Sequence, residues 1–200
     1  MPRPKAHTRD HLVATAMHQF WRYGFESTSM DDLVSATGAS RHAIYSEFGN
    51  KDELFLACLD AYPGDVVTPA FADVEKEGAS LTDISVYFET QITLAQKLGM
   101  PGPGCLMANT MTEIAPQWRA AKTRVSRHNS RLDAGFLNAL TTENKNRKTR
   151  LPEATLKDMA GALTVFAQGL WSFSRTTRDA DDVRSRATAY LALIDARMSP

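Results

Sequence analysis

The sequence has only two cysteines in 200 residues, Cys58 and Cys105. They are too few for a disulfide framework and fit no CxxC or Cys/His spacing that would hold structural zinc. Net charge is also missing, since 23 Lys+Arg balance 23 Asp+Glu. No chain-wide field therefore draws the protein to nucleic acid or membrane, and any such attraction must be local. No apolar run is long enough to span a bilayer, and the basic start from Met1 to His7 leads into no apolar signal stretch. A cytoplasmic protein without a membrane partner is expected. Glycine-rich phosphate loops, GxSxG and HExxH are absent, so no enzymatic activity, cofactor or metal is expected. His7 and His11 lie four apart, but His7 stands in a basic arm and the pair carries no metal assignment.

Period-2 alternation of β-branched residues is absent as well, whereas apolar residues recur every three or four positions between breakers. The chain reads as all-α. Its main breaks fall at Gly24, Gly38, Gly49-Asn50, Pro63-Gly64, the Gly99 to Gly104 run, Pro116, the polar stretch Thr141 to Arg150, and Thr176 to Asp182. Segments before residue 50 are short. Longer helices are expected near 80–98, 117–140, 153–175 and 183–197, giving a small helical head on a larger helical body.

In the head, Leu12, Ala16, Phe20 and Tyr23 form one stripe of a helix that stops at Gly24. Thr28 and Ser29 each precede an acid by three residues, Asp31 and Asp32, so either register makes a capping box for a second helix lasting to about Thr37. Gly38-Ala39-Ser40 makes a tight turn, and Ser40 caps a third helix running from Arg41 through Phe48. Two short helices joined by a glycine turn form a helix-turn-helix. Asn50 and Glu53 open a fourth helix, Lys51 to about Ala61. With Ile44 and Phe48 turned inward, Arg41, His42, Tyr45 and Ser46 face outward, where the second helix of such a motif meets the major groove. Arg41 suits a bidentate contact with guanine, and His42 can donate or accept. Thr28, Ser29, Ser40, Tyr45 and Lys51 suit backbone contacts. The arm at residues 1–9 carries Arg3, Lys5 and Arg9 without an acid and can add salt-sensitive contacts.

The stretch from Thr8 to Phe55 resembles the DNA-binding domain of TetR-family transcriptional regulators. Phe20, Gly24, the Thr-Ser cap, Gly38-Ala-Ser40, Ile44-Tyr45, Phe48 and Lys51-Asp-Glu-Leu54 fall at family-like spacing. The resemblance implies a homodimer, a helical C-terminal domain that binds a small-molecule effector, and release from a palindromic double-stranded operator on binding. Repression is the favoured outcome. The expected organisation is a helix-turn-helix domain at 1–62 and a ligand-binding and dimerisation domain at 63–200. Pro63-Gly64 departs from the long connector helix usual in the family, because it must kink or end the fourth helix.

In the body, the run Met159 to Phe173 is apolar on most sides and needs a second covering surface. Together with a last helix bearing Val183, Ala187, Tyr190, Leu191, Ile194 and Met198, it resembles the family's four-helix dimer interface. Ala160, Gly161, Ala162, Ala167 and Gly169 would permit close approach, while completion of the monomer core is the alternative. The segment Pro101 to Glu113 resembles the family subset whose pocket-bordering helix begins Gly-Cys-Leu. Candidate effector contacts are Phe88, Gln91, Cys105, Met107, Met111, Trp118, Phe136, Phe166 and Trp171, with Asn109 and Glu113 as polar anchors. A helix starting at Gly104 would put Cys105 in its first turn, where the dipole favours thiolate, although a free cysteine is more often a small buried hydrophobe and that is the favoured reading. The alternative trigger is then covalent modification of Cys105, or a protein partner, in place of a reversible ligand. Arg119, Lys122, Arg124, Arg127 and Arg131 read as a solvated face.

Overall fold

The computed structural model describes residues 8–199, which form helices joined by turns, with no strand among them. The helices are α1 (Arg9–Tyr23), α2 (Met30–Thr37), α3 (Arg41–Phe48), α4 (Lys51–Tyr62), α5 (Thr68–Glu75), α6 (Leu81–Leu98), α7 (Leu106–Glu113), α8 (Arg119–Asn146), α9 (Glu153–Ser174) and α10 (Ala180–Met198). None is long and apolar enough to cross a membrane.

Punctuation in the sequence sets the first four. Thr8 Oγ1 accepts from His11 N at 3.2 Å to open α1, and Gly24, at φ 88°, ends it. Of the two capping registers, Ser29 with Asp32 is the one adopted. The Ser29 hydroxyl and then its backbone N–H hold the Asp32 carboxyl below the usual range. Gly38 takes the left-handed conformation that closes α2, where a Cβ would be strained. Ser40 caps α3 through Ala43 N, and Asn50 caps α4 through Glu53 N.

Pro63-Gly64 does not end the run of helix. Residues Pro63–Val67 form a π-helical turn that runs into α5, an element the sequence reading had not resolved. Pro69 lies in the first turn of α5. The polar stretch at 141–150 is not a loop throughout, since α8 continues to Asn146. The Asn144 side chain bonds the Leu151 backbone both ways, at 2.9 and 3.1 Å, and so secures the helix end that the charged residues alone left undefined.

The chain divides into two compact units, and the first is discontinuous. It takes in residues up to Asp65 together with Cys105–Val125, so that α7 and the start of α8 belong with the head. Its core is Leu12, Val13, Ala16, Met17 and Phe20 of α1 with Leu33, Ile44, Phe48, Leu54, Phe55, Cys58 and Leu59. Full burial of each such side chain stabilises by roughly 1.5–3 kcal/mol. Trp118 packs on Phe25 at a tilt and stacks with Phe55, with ring centres at 5.3 and 6.1 Å. Tyr23 departs from the expected inner stripe and is 54% exposed at the end of α1. Arg124, expected on a solvated face, makes a bidentate pair with Asp60 at 2.5 and 2.9 Å.

The second unit comprises Val66–Gly104 and the chain from Ser126 onward. There α6 packs on α5 and α10, and α10 also meets α9. Val183, Ala187, Leu191, Ile194 and Met198 are buried within this unit. The stripe of α10 linked above to the dimer interface is therefore spent on the unit's own core. Arg131 makes a bidentate pair with Glu75 at 2.6 and 2.7 Å.

Candidate nucleic-acid interface

In α3, Ile44 and Phe48 are buried while Arg41, His42, Tyr45 and Ser46 are exposed, the consequence of four-residue spacing on a two-turn helix. Ser40 is exposed as well, its hydroxyl accepting from Ala43 N at 3.2 Å. The Arg41 guanidinium donates to Asp31 Oδ1 of α2 at 2.5 Å. Both partners are well exposed, so the pair adds little to folding and can be exchanged for another acceptor. Ser29 is exposed at the start of α2, with its hydroxyl on Asp32 Oδ2 at 2.6 Å.

Two residues read above as backbone contacts do other work in this conformation. Thr28 is fully buried, and its hydroxyl donates to Gly24 O at 2.6 Å. Lys51 is half-buried. Its Nζ donates to Phe25 O at 2.9 Å and Thr28 O at 3.0 Å, and lies 4.2 Å from the centre of the Phe25 ring. That ammonium binds the carbonyl edge of the α1–α2 turn. Arg3 and Lys5 lie outside the described residues. Arg9 sits 3.8 Å from Glu47 and over the Phe48 ring.

The residues named above as effector contacts are divided between the units. Cys105, Met107, Asn109, Met111, Glu113 and Trp118 belong to the first, and Phe88, Gln91, Phe136, Phe166 and Trp171 to the second. Glu113 accepts from Phe25 N at 3.1 Å through Oε2 and from Glu26 N at 2.9 Å through Oε1. Asn109 Nδ2 donates to Trp21 O at 3.3 Å. Cys105 is the N-cap of α7 and not part of its first turn. Burial pushes its thiol up, outweighing the hydrogen bonds from Ala108 N, the Tyr62 hydroxyl and Met107 N. Desolvation overrides the helix end, so the thiolate that the dipole alone would favour is disfavoured.

In the second unit Phe88, Phe136, Phe166 and Trp171 cluster with Tyr87 and Phe71. The Phe88 ring lies 6.5, 5.8 and 5.9 Å from Phe136, Phe166 and Trp171. Gln91 is half-buried on α6. Sequence reasoning missed a polar row on the same α9 face as Trp171. Thr164 and Gln168 precede Trp171 at helical spacing and are both buried. Gln168 Nε2 donates to Asn129 Oδ1 at 2.8 Å, and Trp171 Nε1 to the Tyr87 hydroxyl at 3.3 Å. Thr164 Oγ1 and Gln168 Oε1 make no hydrogen bond among the described residues. A hydroxyl and an amide four apart in an otherwise apolar helix were the available signal. His128, next to Asn129 on α8, is buried. Desolvation first, and the Arg131 charge second, lower it to about 4. The described residues contain no group of three or more His, Cys, Asp and Glu able to hold a metal.

Along α1 and α2 of the head runs an open polar cleft of about 700 Å³, lined by Gln19, Arg22, Tyr23, Ser27, Asp32, Ser35 and Ala36. Residues 12–58 match the family described as bacterial regulatory proteins, tetR family. The chain is 32% identical over 170 residues to the HTH-type transcriptional repressor ComR of Escherichia coli K12, covering 84% of this chain and 80% of that protein. Among solved structures, a TetR-family regulator from Cytophaga hutchinsonii superposes with a TM-score of 0.79 at 19% identity, covering 94% of this chain and 93% of the other. A cysteine mutant of the TetR-family regulator CifR, complexed with 26 bp double-strand operator DNA, superposes with a TM-score of 0.79 at 18% identity, covering 95% and 98%.

Proposed function

Because this chain belongs to the tetR family of bacterial regulatory proteins, and so is a DNA-binding transcriptional regulator, we propose that it acts as a cytoplasmic homodimeric repressor. In this reading a small molecule releases it from a palindromic operator. The observation that carries it is the outward face of α3, where Arg41, His42, Tyr45 and Ser46 stand clear on a helix anchored by buried Ile44 and Phe48. Arg41 reads a guanine edge after giving up Asp31, His42 reads a neighbouring base, and Ser29, Ser40, Tyr45 and Ser46 hold phosphates. The head comprises residues up to 65 with 105–125, and the remainder is the effector and dimer body.

For dimerisation the reading rests on Val165 of α9 and Leu193 of α10, which are 73% and 68% exposed. In their helices they neighbour Phe166 and Tyr190, whose rings stack with centres 4.0 Å apart. Ala162 and Gly169, exposed on α9, let a second copy approach closely. For the effector, buried Thr164 Oγ1 and Gln168 Oε1 favour a ligand with hydrogen-bond donors and an aromatic or apolar body. An unanswered buried acceptor costs about 1–3 kcal/mol, which such a ligand would recover. Coupling requires that this ligand bind the DNA-free state more tightly than the DNA-bound one.

Selection of duplexes from a random library by the purified full chain at low ionic strength tests the reading. The expected product is a palindrome with half-sites about one or two helical turns apart, protected by a dimer. Failure to enrich any duplex would overturn it.

A further inference from the structure

The turn between α1 and α2 sets where α2, and with it α3, leaves α1, and it is gripped on both polar edges. Lys51 of α4 takes its carbonyls, as described above. Its N–H groups are taken by a residue far away in sequence, Glu113 at the end of α7, whose two carboxylate oxygens each accept one of two successive amides, Phe25 N and Glu26 N. The approach is close. A Cβ at Gly24 would come within 2.8 Å of Glu113 Oε1 and 3.0 Å of Oε2. At φ 88° this position would also strain any other residue. Glycine here therefore does two things: it ends α1 and it leaves room for the carboxylate.

What leads into α7 is equally constrained. Gly104, the last residue of the second unit before Cys105, has φ 72°, and a Cβ there would lie 2.7 Å from the Trp171 carbonyl oxygen and 2.9 Å from Arg175. Gly104 is thus moulded to α9 at Trp171, the residue whose indole bonds Tyr87. The end of α7 holds the α1–α2 turn.

We propose that Glu113 is a positioning residue for DNA reading. Its carboxylate fixes the α1–α2 turn so that α3 is presented for the DNA reading given above. Glu113 itself touches no DNA. It acts through the two amides, which distinguishes it from Arg41.

The test uses the full-length protein and three variants, Glu113→Gln, Glu113→Asp and Arg41→Ala. Hydrogen exchange of the Phe25 and Glu26 amides is followed without DNA, and affinity is measured for the duplex selected by the wild type. In Glu113→Gln an amide replaces one acceptor oxygen. Exchange at Phe25 or Glu26 should rise about tenfold or more while amides of α4 keep their protection. Affinity for the selected duplex should fall about tenfold. Glu113→Asp, which keeps the charge, should recover part of both, and Arg41→Ala should lose affinity with no change in exchange. If Glu113→Gln leaves exchange and affinity within about twofold of the wild type, the proposal is wrong. Affinity loss accompanied by unprotected amides throughout α1–α4 would refute it too, since that pattern is general unfolding. If no duplex is selected, the functional reading fails, while the exchange measurement still judges whether Glu113 fixes the turn.

Discussion

Replacing Lys51 with methionine separates a structural cation from a DNA-contacting one, because the two roles give opposite results in two assays. The Nζ makes bonds of 2.9 and 3.0 Å to Phe25 O and Thr28 O and lies 4.2 Å from the Phe25 ring centre. Hydrogen bonds from charged groups contribute about 1.5–3 kcal/mol each when well shielded. Cation–π contacts contribute roughly 0.5–1 kcal/mol at exposed sites. Lys51 is only half-buried and methionine keeps most of the stem packing, so the low end applies, about 2–4 kcal/mol. That is a large part of the roughly 5–15 kcal/mol that stabilises an ordinary domain. Urea unfolding at fixed protein concentration, followed by Trp21 and Trp118 fluorescence, should show this loss. The slope of log K against log salt on the selected duplex should stay unchanged. A slope shallower by about 0.9, with an unchanged urea midpoint, would mean that Lys51 neutralises a phosphate and that the internal assignment is wrong.

Other substitutions probe the remaining assignments. Arg41→Ala should weaken binding to the selected duplex roughly ten- to hundredfold and relax the sequence preference at one base pair per half-site, whereas equal losses on selected and random DNA would refute base reading. His128 titrates at about 4 when folded and near 6.5 when unfolded, so the unfolded chain binds the extra proton as pH falls through that window. Stability is therefore full above about 6.5 and declines toward 4. From pH 7 to pH 5 the loss assigned to His128 is about 2 kcal/mol, and His128→Gln should remove that component from the urea midpoints. In Gly135→Ala the new Cβ would come 2.4 Å from Phe71 Cε1, a fully buried ring. Overpacking of about 1–3 kcal/mol then opposes roughly 1 kcal/mol of helix propensity. The substitution should lower stability in the wild type but not in a Phe71→Leu background, and equal effects in both would exclude the clash.

The head was legible because its signals are local. Ser29-Asp32, Ser40 and Asn50-Glu53 each cap a helix within three residues, and Gly24 and Gly38 end helices where the chain needs positive φ. The function of a polar side chain was legible only where its partner lay nearby or in solvent. Thr28 and Lys51 have the chemistry of phosphate contacts, yet backbone carbonyls brought close by folding engage both first. Glu113 is separated from its partners by 87 and 88 residues, and no periodicity reports such a pairing. For Cys105 the sequence offered both a helix start that favours thiolate and burial as a small hydrophobe, and only folding decides between them: the residue is buried and desolvation disfavours the thiolate. In the body, apolar periodicity located α6, α9 and α10 and put Leu191 and Ile194, without Leu193, on one stripe of α10, but could not say whether that stripe covers the chain's own core or a second copy. Packing against α6 buries it within the unit.

The two-segment construction of the first unit bears on how such regulators can be recombined. A chimaera cut after Asp65 would carry α1–α4 away from the native Glu113 and Trp118 and set them against a stranger's α7. Grafting the sequence preference of this protein onto another sensor would instead require transplanting residues 105–125 together with the N-terminal segment. The same linkage means that drift at Glu113 and Trp118 is answerable to the reading surface they support, although both lie far from it in sequence.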